Sequence, residues 1–85
     1  MNYYLYVLKS LEYSRHYIGI SADIENRLFK HNKGEVRSTK AYLPWKCVHL
    51  ENFSDKKSAR MREIFLKKNA KARKELFEKL IAPIV

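Results

Sequence analysis

Two polar side chains interrupt the apolar face of the first predicted helix, over 21–33. That face carries four residues spaced i, i+3, i+4 and i+7: Ile24, Arg27, Leu28 and His31. The guanidinium of Arg27 is a permanent cation whose fork matches a phosphate. The imidazole of His31, with an ordinary pKa of about 6.5, can position a phosphate or relay a proton. The pair indicates phosphate chemistry; the alternative is that Arg27 only lays its methylene groups over the edge of the core.

Tyrosines of the first two predicted strands are a second candidate group. Tyr4 and Tyr6 point to one face of their strand, and Tyr17 shares a face with Gly19, whose missing side chain leaves space for a ligand or another backbone. A phenol with a pKa of about 10 is a poor base at neutral pH, but a nearby cation or metal favours its phenolate. Tyr6 and Tyr17 are therefore candidates for activating or holding an attacking water. The alternative for each is ordinary packing in the sheet.

One glutamate lies at the margin of the apolar face of a later helix. Glu63 lies angularly between Ala59 and Leu66. Its carboxylate is a hard oxygen ligand that suits Mg²⁺ or Mn²⁺. The alternative is an ion pair, because Lys67 follows at i+4 and Arg60 precedes it on the same helix.

Basic residues follow the first helix closely. The run contains Lys30, Lys33, Arg37 and Lys40. We expect these side chains to contact a nucleic-acid backbone without reading bases. The alternative is a solvated basic surface.

The elements that must position these residues can be predicted from the pattern. Strands are expected over 3–8, 15–20 and 45–51, the first being central because it is apolar at every position. Helices are expected from a cap at Ser21 or Asp23 to about Lys33, from Ser54 or Asp55 to about Lys68, and over 71–80. Gly34 supplies a stop after the first helix. In the third strand, Lys46, Val48 and Leu50 are expected to alternate with Trp45, Cys47 and His49.

Composition narrows the class of protein. The 85 residues carry a formal charge of +9 with a pI near 9.8, which favours a polyanionic partner such as nucleic acid. We expect one domain over 1–85. The single cysteine excludes an internal disulfide and a cysteine-based zinc site. Apolar runs fall far short of the ~20 residues of a membrane span, and we see no signal peptide, so a cytoplasmic location is expected.

Several of these residues occur together in a recognisable pattern: Tyr4-Leu5-Tyr6, Tyr17-Ile18-Gly19, Arg27, His31-Asn32, Gly34 and Glu63. The combination resembles the GIY-YIG nuclease superfamily over nearly the whole chain. It is most similar to small stand-alone bacterial proteins related to the N-terminal nuclease domain of the bacterial excinuclease. Two departures stand out: Tyr4 replaces the first glycine, and Lys74 or Glu75 stands where several family nucleases carry a polar residue, often asparagine.

The resemblance implies an α+β fold, with a small central three-stranded antiparallel sheet flanked by helices in the order β-β-α-β-α-α. It implies an endonuclease that uses one divalent metal, Mg or Mn, on Glu63 and hydrolyses the phosphodiester bonds of DNA, selecting substrate structure over base sequence. DNA is favoured over RNA as the partner, and the sequence leaves that choice open. Tyr6, Tyr17, Arg27, His31 and Glu63 would form the active site. Two alternatives stay open: a nucleic-acid binding module that does not cut, and an interaction domain for acidic proteins.

Overall fold

A three-stranded antiparallel sheet forms the centre of the computed structural model, which describes residues 2–81. In chain order the elements are β1 (Tyr3–Ser10), β2 (His16–Ser21), α1 (Ile24–Asn32), a 3-10 turn (Lys40–Tyr42), β3 (Trp45–Phe53), α2 (Lys56–Lys68) and α3 (Ala70–Ile81). The strand order is β2-β1-β3, so β1 is central. The predicted α+β fold and element order are confirmed. Strands β1 and β3 continue past their predicted ends to Ser10 and Phe53, and the 3-10 turn was not predicted.

Both faces of the sheet are covered, which explains the apolar character of residues 3–8. Leu5 and Val7 point to one face, where they pack with Leu66 of α2 and with the apolar side of α3. Tyr6 and Leu8 point to the opposite face, where residues of α1 cover them. The central strand therefore contributes to two separate apolar clusters, and its tyrosine belongs to the one beneath α1.

Strand β3 does not alternate along its whole length. The register skips Val48, which forms a β-bulge opposite the peptide between Val7 and Leu8. Val48 packs towards α2 and α3, whereas Leu50 is paired with Tyr6 and so faces the α1 side. The prediction that Val48 and Leu50 share a face is wrong, because the extra residue reverses the alternation.

Local capping interactions fix the ends of the helices. Asp23 accepts a hydrogen bond from the backbone N–H of Asn26 at 3.1 Å, and Asp55 accepts one from Ser58 at 2.7 Å. After α1, Gly34 has a φ of +78°, a region that glycine adopts without strain. These residues are among the predicted caps and the predicted stop. None of the helices within 2–81 has the length and hydropathy to cross a membrane.

One side-chain amide joins the end of α1 to the start of β3. The Asn32 Oδ1 accepts the Trp45 N–H at 2.6 Å, and the Asn32 Nδ2 donates to the Trp45 carbonyl oxygen at 3.0 Å. The indole N–H of Trp45 donates in turn to the Thr39 carbonyl at 2.9 Å. The backbone groups of Trp45 are thereby satisfied, and the C-terminal end of α1 is held at a fixed position over the sheet.

We expect Asn32→Ala to lower the free energy of unfolding by about 1–3 kcal/mol, because it leaves the backbone groups of Trp45 without their partners. Urea denaturation followed by fluorescence of Trp45, the single tryptophan, measures the change. Asn26→Ala is the matched control, since Asn26 is exposed on the same helix and should lie within about 0.5 kcal/mol of the parent. Equal losses in the two variants would contradict the role given to Asn32.

Candidate active site

The ring of Tyr6 lies against Gly19 on the neighbouring strand. The two residues are directly paired across β1 and β2. A Cβ atom at Gly19 would lie 2.6 Å from the Tyr6 hydroxyl oxygen, 2.7 Å from Tyr6 Cζ and 2.9 Å from Tyr17 Cε2. The prediction that Gly19 leaves space for a ligand or another backbone is wrong, because Tyr6 and Tyr17 fill that space. Glycine at this position lets the Tyr6 side chain extend towards α1.

His31 is buried between β1 and the loop that follows α1, and each of its ring nitrogens has a hydrogen-bond partner. The Tyr6 hydroxyl lies 3.0 Å from His31 Nε2, and the Thr39 Oγ1 lies 2.8 Å from His31 Nδ1. The exposed fractions are 1% for Tyr6, 0% for His31 and 1% for Thr39, so these groups are shielded from bulk solvent. Both ring nitrogens are therefore satisfied within the protein.

Tyr17 and Arg27 complete the cluster around this pair. The Tyr17 ring centroid lies 4.9 Å from that of His31 and 6.2 Å from that of Tyr6. The half-buried guanidinium of Arg27 lies beside the hydroxyl groups of both tyrosines, and hydrogen bonding to Tyr6 raises the pKa of Arg27. Four of the five predicted catalytic residues are thus brought together on the α1 side of the sheet.

Burial and charge shift the pKa values of the two buried groups in opposite directions. Burial raises the pKa of Tyr6 to about 12, even though Arg27 favours the phenolate. Burial, followed by the charge of Arg27, lowers the pKa of His31 to about 4. Both side chains are therefore neutral near pH 7, and the fixed positive charge of the cluster comes from Arg27.

Glu63 approaches the cluster from α2. Its carboxylate is 5% exposed, and it accepts hydrogen bonds from Arg60 and, at 3.1 Å, from Lys67. The Lys67 Nζ also lies 5.9 Å from the Tyr17 ring centroid, which places the ion pair next to the tyrosine. The alternative interpretation of Glu63 as an ion-pair partner is thus seen in the structure, and its carboxylate is close enough for its charge to act on Tyr6.

The donor set at Glu63 fits a magnesium-type ion. Within residues 2–81, no group of three or more His, Cys, Asp or Glu side chains could enclose a metal. Mg²⁺ usually takes only one or two carboxylates and completes its shell with water and substrate phosphate. The single buried carboxylate of Glu63 satisfies that requirement, with Arg60 and Lys67 as its present partners.

The predicted basic residues lie on the surface at the C-terminal end of α1 and in the loop after it. Lys30, Lys33, Arg37 and Lys40 are all exposed, and Lys33 forms an ion pair with Glu35 at 3.5 Å.

A cleft between β2 and α3 was not predicted. It measures about 480 Å³, and Arg15, Tyr17, Lys67 and Arg73 lie on its wall. It opens directly beside the candidate active site. Arg73 gave no sequence signal, and its guanidinium is held by donating to the carbonyl oxygens of Leu66 and Lys67 at the end of α2, at 3.0 and 2.9 Å.

The remaining histidines lie elsewhere. His16 stacks on Phe77 with ring centroids 4.1 Å apart, and His49 Nε2 is hydrogen bonded to the Glu51 carboxylate at 2.8 Å. The sequence pattern did not single out Thr39, because a threonine in a basic loop has no distinguishing spacing.

Comparison with known proteins identifies the family. Residues 2–76 match the model of the GIY-YIG catalytic domain. The chain belongs to the GIY-YIG family. A UPF0213 protein from Streptococcus pneumoniae is 37% identical over 75 residues, which is 87% of this chain and 75% of that protein. The UPF0213 protein YazA from Bacillus subtilis is 34% identical over 77 residues, 89% of this chain and 77% of YazA.

A solved relative supports the fold. The solution NMR structure of a UPF0213 protein from Bacillus halodurans has a TM-score of 0.56 to this chain and is 28% identical to it. The match covers 95% of this chain and 86% of that one. The family resemblance drawn from the tripeptides is therefore confirmed.

We expect the imidazole of His31 in this GIY-YIG domain to titrate near pH 4. Because the pKa is lower in the folded chain than its ordinary value of about 6.5, the unfolded chain takes up a proton first as the pH falls. The contribution of His31 to stability is therefore complete above pH 6.5 and falls by roughly 3 kcal/mol as the pH drops to about 4. NMR titration of the His31 ring measures this pKa.

Two variants sharpen the titration. Arg27→Gln should raise the pKa of His31 towards its ordinary value without reaching it, because burial is the larger cause and remains. Arg37→Gln, a change at an exposed arginine of the following loop, should leave it unchanged. A His31 that titrates near pH 6.5 in the parent would contradict the described burial.

Proposed function

We propose that this protein is a divalent-metal-dependent endonuclease that hydrolyses phosphodiester bonds, acting on DNA in preference to RNA and selecting substrate structure rather than base sequence. The observation that carries the proposal is the cluster of Tyr6, Tyr17, Arg27 and His31, drawn from three elements and joined by short contacts. Membership in a family defined by a catalytic domain supports it. A nucleic-acid substrate also favours the cytoplasm as the place of action.

Arg27 is assigned to the substrate phosphate. Its guanidinium is half-buried, so its charge is screened less than that of a surface arginine. A bidentate donor at this position stabilises the negative charge that develops on the phosphate in the transition state. The neutral state of His31 leaves that role to Arg27 alone within the buried cluster.

The two tyrosines are assigned to the attacking water. The raised pKa of Tyr6 makes it a hydrogen-bonding group rather than a base near neutral pH. Tyr17 is only half-buried and lies on the wall of the cleft, so it has access to substrate. The proposed division of work is that Tyr17 contacts the water and phosphate, while Tyr6 orients them from below.

Glu63 is assigned to the metal. When bound there, the ion acts as a Lewis acid on the phosphate and its leaving oxygen. Arg60 and Lys67 hold the carboxylate on two sides and keep it oriented. Lys67 reaches from Glu63 to the ring of Tyr17, so it also brings a positive charge to the wall of the cleft.

The activity is tested by incubating the protein with nicked, branched, single-stranded and duplex DNA, and with RNA, in Mg²⁺ or Mn²⁺. The parent should cut DNA only with the metal. Tyr17→Phe, Arg27→Ala and Glu63→Gln should each lower the rate by about 10²-fold or more, because each removes a group that acts on the reacting phosphate or water. Metal-dependent cutting that survives Glu63→Gln would exclude the metal role.

Matched controls separate chemistry from folding. Tyr13→Phe and Glu78→Gln change the same side-chain types at exposed positions, and both should cut like the parent. Unfolding free energies of all variants show whether Glu63→Gln acts only through its lost ion pairs. If no substrate is cut with either metal, the protein is a binding module.

Binding to DNA should depend steeply on salt through the exposed cations beyond α1. The triple variant Lys30→Gln, Arg37→Gln, Lys40→Gln should make the slope of log affinity against log salt shallower by about 2.7, if each side chain neutralises one phosphate. Lys33 is left unchanged because it already pairs with Glu35. Fluorescence anisotropy with a labelled duplex at several salt concentrations measures the slope.

Lys57→Gln is the control for this measurement. Lys57 is exposed near the start of α2. It follows the C-terminal end of β3, whereas Trp45 and the basic loop lie at the N-terminal end of that strand. It should leave the slope unchanged. Undetectable binding of the parent to both DNA and RNA at low salt would favour an interaction domain for acidic proteins instead.

A further inference from the structure

We infer that Thr39 is a positioning residue of the candidate active site, which fixes the tautomer of His31 and thereby the direction of the hydrogen bond between His31 and Tyr6. In this arrangement His31 Nδ1–H donates to Thr39 Oγ1, and the Tyr6 hydroxyl donates to His31 Nε2. The tautomer itself is independent of the proposed function; its effect on catalysis rests on that function.

The Tyr6 end by itself leaves the direction open. The Tyr6 hydroxyl is 1% exposed and lies 3.0 Å from His31 Nε2. A phenol can donate or accept, and a nitrogen of the neutral imidazole does one or the other according to the tautomer. The direction of this bond therefore depends on where the other ring nitrogen, Nδ1, places the proton.

The Thr39 end sets the direction. A threonine hydroxyl has one proton and two lone pairs, so it can accept from His31 Nδ1 while donating to another group. The Val36 carbonyl, which can only accept, lies 3.3 Å from Thr39 Oγ1. With its own proton on the Val36 carbonyl, Thr39 accepts from His31 Nδ1–H, and Nε2 keeps a lone pair for the Tyr6 hydroxyl. Trp45 holds Thr39 in place by donating to its carbonyl.

The opposite tautomer would break this chain at Thr39. If Nε2 carried the proton, Nδ1 would need the Thr39 proton, and the Val36 carbonyl would lose its hydrogen bond. The Tyr6 oxygen would then accept from His31, and its own proton would have no acceptor within the buried pair. With Thr39 as acceptor, Tyr6 donates to His31 and keeps its oxygen lone pairs for the cation of Arg27.

The tautomer can be measured directly. Long-range ¹H–¹⁵N correlation spectra of ¹⁵N-histidine protein distinguish Nδ1–H from Nε2–H, and the His31 signals are assigned by comparison with His31→Gln. At pH 7 the parent should show the Nδ1–H form. Thr39→Val, which removes the acceptor with little change of shape, should shift His31 towards Nε2–H, and Thr39→Ser should restore the parent pattern.

Cleavage supplies the second readout. Thr39→Val should lower kcat by about 10-fold or more with little change of KM, and Thr39→Ser should stay close to the parent. A parent spectrum with Nε2–H overturns the inference, and so does a Thr39→Val protein that keeps both tautomer and kcat. Because the tautomer of the parent is read without Thr39→Val, the inference stays testable if that variant fails to fold.

The failures of the two proposals can be told apart. If the parent never cuts nucleic acid but shows Nδ1–H, the endonuclease proposal fails and the tautomer stands. If the parent cuts but shows Nε2–H, the endonuclease proposal stands and Thr39 does not have the role inferred for it.

Discussion

The hydrogen bond between the Tyr6 hydroxyl and His31 Nε2, at 3.0 Å, constrains the rest of the site. Both groups are buried, so leaving either without its partner would cost the energy of desolvating a polar group. The bond therefore fixes the distance and rotation of α1 relative to β1. Arg27, one turn before His31 on the same helix, is carried to the tyrosine hydroxyls by the same constraint. The hydrogen bond also requires glycine at position 19, because any side chain there would collide with Tyr6.

The sheet order explains how two helices on opposite faces can serve one site. Strand β2 is at the edge, so α2 can reach around it towards the face that carries Tyr17. The Leu66 side chain, packed against Leu5 and Val7, anchors α2 to the other face. Glu63 and Lys67 lie within one turn of this anchor and project towards the edge strand, where Lys67 lies over the Tyr17 ring. Apolar packing on one face thus sets the position of charged groups beside the other.

Charge in the site is divided between a neutral interior and a cationic border. At neutral pH neither Tyr6 nor His31 carries a charge, since burial disfavours the charged form of each. Arg27, Lys67 and Arg73 supply positive charge at or near the cleft. This arrangement suits a polyanion bound at the surface with one phosphate next to the buried pair. A chain with a formal charge of +9 extends the same field over the surrounding surface.

The sequence by itself determined the element order, the central strand and most of the candidate site. Hydrophobic periodicity predicts which residues face a core, and two polar residues on the apolar face of α1 stood out because they broke that pattern. The caps at Asp23 and Asp55 were among the predicted ones, because each capping hydrogen bond spans only three residues and so depends on local sequence. Family membership followed from the tripeptides at Tyr17 and Tyr6.

Only the tertiary structure decided how these residues meet. The bulge at Val48, the filling of the space at Gly19 and the contact of Thr39 with His31 all depend on which strands and loops become neighbours. The approach of Lys67 to the Tyr17 ring depends likewise on how α2 packs beside β2. Periodicity reports the environment of one element at a time, whereas hydrogen bonds and steric contacts between distant residues depend on distances that exist only after the chain folds.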